Sequence, residues 1–132
     1  MLTNSQLEAA AYRFEMANGN ALHSYERNYV AEAGLETKDP DRLADEICLY
    51  LDSSSQIPKE HRSTAFWALG KYYHRRLLPF FHRHLAHELD RDMNVAYQIM
   101  IALDNLDEEV WPHEKRSFSI LESSENREAA LR

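Results

Sequence analysis

Apolar residues recur along this chain every three to four positions, in runs broken by capping and turn residues, a spacing that predicts helices. The first run is Leu7, Ala10, Ala11 and Phe14, and it follows Ser5 and Glu8, which have capping-box separation. Asn18-Gly19-Asn20 predicts its end and caps a second helix over about 21–33, closed by Gly34. Leu22, Tyr25 and Tyr29 lie on one side of that wheel and are expected to form its inner stripe. Asp39-Pro40 is a start signal, a capping oxygen followed by a preset φ, and Leu43, Ile47, Tyr50 and Leu51 form the expected buried face behind it. Ser53-Ser54-Ser55-Gln56 reads as a loop.

Pro58 opens a fourth helix over about 58–73, with Ala65, Ala68, Leu69 and Tyr72 aligned. Gly70 inside it costs about 1 kcal/mol relative to alanine, which a close packing contact would explain. A fifth helix, about 76–89, aligns Leu78, Phe81, Leu85 and Leu89 and accommodates Pro79 only in its first turn. Asp92 caps a sixth, with Val95, Ile99, Ala102, Leu103 and Leu106 facing inward. The expected architecture is all-α, about six or seven helices. Residues 1–112 form the expected helical domain, and 113–132, with Phe118, Ile120 and Leu121, a tail or short docked helix.

Composition narrows this further. The 132 residues carry a formal net charge of −7, only three glycines, four prolines and one cysteine. Few turn residues disfavour a β architecture. Cys48 cannot form an internal disulfide, which suits a reducing, cytoplasmic setting. No apolar run approaches a membrane span, and the first residues lack the layout of a signal peptide.

Arg62, Ala65, Ala68, Leu69 and Gly70 spell R-x-x-A-x-x-A-L-G, and a shift of 34 residues maps Ala65 to Ile99, Ala68-Leu69 to Ala102-Leu103, and Pro58 to Asp92. At these residues the chain resembles HEAT-like helical repeats, in particular the short bacterial kind. The resemblance covers about 58–106, and the second copy lacks the glycine and the arginine. It implies a short right-handed α/α stack whose work is binding another macromolecule, and it names no chemistry.

Candidate chemistry is sparse. Five of the seven histidines fall between His61 and His87, and His84, His87 and Glu88 stand at i, i+3 and i+4, within reach of one ion on a helix. No H-E-x-x-H and no cysteine pair accompanies them, so a solvated helix face is the expectation, with no metal and no cofactor. Cys48, between Ile47 and Leu49, is expected to be a small buried hydrophobe. No nucleophile elbow, phosphate loop or dinucleotide fingerprint is present, so no catalytic residue is assigned and an enzyme is not expected.

Charge is more informative. Residues 1–57 carry 4 basic and 10 acidic side chains (net −6), 58–91 carry 7 and 3 (net +4), and 92–132 carry 4 and 9 (net −5). The basic middle offers Arg75, Arg76, Arg83 and Arg91 as an alternative nucleic-acid face, although acidic flanks repel phosphates. The acidic ends offer Asp45 and Glu46 on one side, and Asp104, Asp107, Glu108 and Glu109 on the other, as surfaces that steer a cationic protein. Tyr50 and Trp111 adjoin those acids as candidate aromatic anchors. In size, acidity and helical make-up the chain is similar to immunity proteins of contact-dependent inhibition systems. That resemblance implies a non-enzymatic module that blocks a cationic bacterial toxin, a nuclease with a basic cleft above all. A small metal-dependent enzyme is the remaining alternative.

Overall fold

The computed structural model describes residues 2–106, and they contain six α-helices, one 3₁₀ turn and no strand. The protein is all-α. The chain divides into two compact units, the first ending at Tyr72 and the second beginning at Tyr73. Expected features beyond Leu106, including Trp111 and the segment 113–132, lie outside the described residues. No helix among the described residues is long and apolar enough to cross a membrane.

The first unit holds α1 (Asn4–Ala17), α2 (Ser24–Glu32), α3 (Pro40–Asp52) and α4 (Lys59–Gly70). Helix α1 starts earlier than Ser5. Its cap is Thr3, whose Oγ1 accepts from the Gln6 N–H at 3.1 Å while Gln6 Oε1 accepts from the Thr3 N–H at 2.9 Å. Two reciprocal bonds are made at Thr3 and Gln6, so the Ser5/Glu8 spacing is not the capping box used. Helix α1 packs against α2, α3 and α4, and its buried residues, Leu7, Ala9, Ala10, Ala11 and Phe14, extend beyond a single stripe. Alanines let three neighbours approach one axis closely.

Helix α2 corrects the sequence reading most. It begins at Ser24, with His23 and Glu26 forming its capping box, and ends before Gly34, which takes φ +70°. The residue it buries is Val30, with Leu22, Glu26 and Ala33 half-buried beside it. Tyr25 and Tyr29 point outward, 58% and 36% exposed. A row of tyrosines would hold α2 away from the alanine face of α1 and strand buried hydroxyls, whereas Val30 and Ala33 permit close contact.

Helix α3 follows its signals. Asp39 Oδ2 accepts from the Arg42 N–H at 3.0 Å, Pro40 stands in the first turn, and Leu43, Ile47 and Leu51 are buried. Cys48 is half-buried rather than buried, because it stands at the edge of the inner stripe formed by Leu43, Ala44, Ile47 and Leu51. Helix α4 is buried on several sides by Arg62, Ala65, Phe66, Ala68, Leu69 and Gly70, and α1 is its principal neighbour. Long-range bonds close the unit. Asn18 Nδ2 donates to Lys71 O at 2.8 Å, Arg13 Nε to Lys38 O at 3.1 Å, and the Tyr72 hydroxyl to the Asp41 carboxylate.

The second unit holds the 3₁₀ turn Arg75–Leu77, α5 (Leu78–Glu88) and α6 (Met93–Asp104). Tyr73, its first residue, carries φ 57°, a left-handed conformation uncommon for a bulky side chain. Pro79 sits in the first turn of α5, and Asp92 Oδ1 caps α6 by accepting from the Asn94 and Val95 N–H groups at 3.0 and 3.2 Å. Helices α5 and α6 pack together, burying Phe81, Leu85, Val95, Ile99 and Leu103, and Arg75 Nη1 donates to Leu106 O at 2.6 Å. Helices α4 and α6 are both 12 residues long and offset by 34, yet they fall in different units, one packed on α1 and the other on α5.

Candidate functional site

A surface depression of the first unit lies between the start of α1 and the second half of α3. Leu2, Gln6, Glu46, Leu49, Tyr50 and Ser53 line a depression of about 540 Å³. It exists because α3 turns two kinds of residue outward. Ala44, Ile47 and Leu51 satisfy the core, and their helical complement, Asp45, Glu46, Leu49 and Asp52, is exposed. Leu49 is 72% exposed, the largest value among the big apolar side chains of the described residues. Leu49 is thus an open apolar side chain with carboxylates at i−4, i−3 and i+3 on the same helix face.

The walls of the depression are held in place. Tyr50, half-buried, shares a 3.0 Å hydrogen bond between its hydroxyl and His61 Nδ1, which ties α3 to α4. Gln6 is fixed by the Thr3 capping box. Glu46 Oε1 accepts from Lys38 Nζ at 2.5 Å, an exposed pair worth about 0–1 kcal/mol, and Asp45 and Asp52 are exposed on the same helix. Asp45, Glu46 and Tyr50 are therefore brought together on one helix, with Leu49, which the sequence reading passed over, between them. The available signal was its place on the wheel, opposite Ile47 and Leu51 and between Asp45 and Glu46.

An aromatic ladder crosses the same unit. Tyr29 of α2, Tyr12 of α1 and Trp67 of α4 adjoin in sequence, with ring centroids 5.9 and 6.0 Å apart, the first pair tilted and the second edge-on. The Tyr12 hydroxyl donates to Glu8 Oε2 at 3.2 Å. Burial, then the adjacent Glu8 carboxylate, pushes the Tyr12 phenol up to about 12, because both disfavour phenolate.

The other candidate groups are not gathered in this way. Asp104 is half-buried at the end of α6, in the second unit, and Asp107, Glu108, Glu109 and Trp111 lie outside the described residues. The four arginines of the alternative face are exposed but engaged. Arg75 holds Leu106 O, Arg83 lies 5.4 Å over the Phe80 ring, and Arg76 and Arg91 also have partners. The spacing of His84, His87 and Glu88 does not produce convergence. Glu88 turns inward with Leu85 and is 1% exposed, His84 packs 4.4 Å from the Phe80 ring, and His87 is exposed. No group of three His, Cys, Asp or Glu side chains among the described residues is placed to hold a metal ion. Comparison with protein-family models, curated proteins and solved structures finds no significant match to this chain.

Proposed function

We propose that this protein is a non-enzymatic binding module whose first unit presents the α3 face to a cationic protein, as an immunity protein blocks a toxin with a basic cleft. The observation that carries the reading is Leu49, 72% exposed in an apolar depression and bordered by Asp45, Glu46 and Asp52. The apolar centre supplies area to be removed from water, and the surrounding carboxylates supply orientation and a fast encounter with positive charge. A nuclease cleft built to take phosphates offers the complementary sign.

The test uses the full chain as bait and identifies what it retains by mass. The expected result is a basic protein, lost from Asp45→Lys/Glu46→Lys and weakened with Leu49→Ala, but still retained by Arg83→Glu. Charge reversal slows association by about an order of magnitude at low salt and less at high salt. Nucleic acid in place of protein, or a protein indifferent to the α3 variants, overturns the reading.

A further inference from the structure

We infer that the outward row of α2, Tyr25, Tyr29 and Glu32, is an arginine-binding strip that extends the cationic partner's footprint from the α3 depression. The inference rests on the reading of the first unit as a surface for a cationic protein and says which side chain that protein uses. Tyr25, Tyr29 and Glu32 are spaced four and three residues apart, so they share one helix face, and all three are exposed. Tyr29 and Glu32 line a second depression of about 310 Å³ together with Gln6. Gln6 also lines the α3 depression, and its side chain accepts from the Thr3 N–H, so the two hollows adjoin at one hydrogen-bonded residue.

The chemistry selects guanidinium. A planar cation stacks on a tyrosine face while its N–H fork reaches a neighbouring carboxylate, and an ammonium has neither the plane nor the fork. Tyr29 is pre-positioned by its 5.9 Å contact with Tyr12, and Tyr25 by the His23 ring, which lies parallel to it at 5.8 Å and 4°. The strip therefore loses little side-chain freedom on binding. Charge favours the ligand over the unit as a whole, since residues 1–57 carry a net charge of −6.

The full chain is titrated with hexa-arginine and hexa-lysine peptides, following heat and the aromatic ring resonances. Hexa-arginine is expected to bind about tenfold tighter than hexa-lysine and to shift the Tyr25 and Tyr29 rings. Tyr25→Ala/Tyr29→Ala removes that preference, and Tyr25→Phe/Tyr29→Phe, which keeps the rings, retains it. Tyr25→Ala alone, at a 58% exposed position, lowers the preference about threefold without touching the ladder. Equal affinities for the two peptides, no binding of hexa-arginine, or a preference that survives the alanine pair overturns the strip. Asp45→Lys/Glu46→Lys separates the two readings. If it weakens both peptides alike while the tyrosines are inert, the α3 reading stands and the strip falls. If the tyrosine-dependent preference persists while the α3 charges are inert, the strip stands and the α3 reading falls.

Discussion

Ile47 and Leu49 stand two residues apart on α3, one fully buried and the other 72% exposed, and alanine substitutions at the two positions give opposite outcomes. Ile47→Ala removes buried methyls and leaves a cavity, a change that costs about 2–5 kcal/mol. For a chain of this size that lowers Tm by roughly 6–20 °C. Leu49→Ala removes atoms already in water, and its effect on stability stays within about 0.5 kcal/mol. Binding reverses the order. Full burial of a leucine contributes about 1.5–3 kcal/mol, and with 72% of Leu49 still open, covering it supplies roughly 1–2 kcal/mol, or about 5–30-fold in Kd. Thermal and urea unfolding of both variants, with titration of the captured partner, reads all four quantities. A Leu49→Ala midpoint lowered as far as that of Ile47→Ala would show that Leu49 is covered in solution, and the open depression would not exist.

Three further outcomes follow from named contacts. Thr3→Ala costs about 0.5–2 kcal/mol by removing the α1 cap, whereas Ser5→Ala is neutral, and urea midpoints distinguish the two helix starts. Gly19→Ala, at φ +82° with nothing within 4 Å of the added carbon, costs about 1–2 kcal/mol from backbone conformation alone, read by the same unfolding curves. Phenolate absorbance resolves a tyrosine titrating near 12, and Tyr12→Phe abolishes that step. The folded phenol holds its proton more tightly than the unfolded one. Its contribution to stability is therefore complete below the ordinary value of 10.0 and is lost as pH rises through about 12; stability rising over that window would refute the assignment.

Of the candidate site, the acidic side chains were legible, because helix spacing alone puts Asp45 and Glu46 outside the Leu43/Ile47/Leu51 line, whereas Tyr50, expected on the buried face, is half-buried. The same spacing sets Leu49 opposite that line, but it does not show that no other helix covers it. The aromatic row of α2 was visible as a row but assigned to the wrong side. Periodicity identifies which residues share a face, but it does not specify which face meets a neighbour when both carry apolar groups. The His84/His87/Glu88 spacing misled for a related reason. A helical wheel treats i and i+4 as one face, while packing of Leu85 against α6 draws Glu88 to the inner side of that face.

The amino-acid order by itself determined the local structure. Asp39-Pro40, Gly34, Asp92, Pro79 and the three-to-four-residue apolar spacing specify where helices start and stop, because caps and backbone preferences act within a turn. The all-α class follows from them. The tertiary structure decided which surfaces remain open, because that depends on contacts between residues far apart in the chain. Alanine-rich α1 accepts three helices and turns Tyr25 and Tyr29 outward, and α3 spends Ile47 on the core and leaves Leu49 in water.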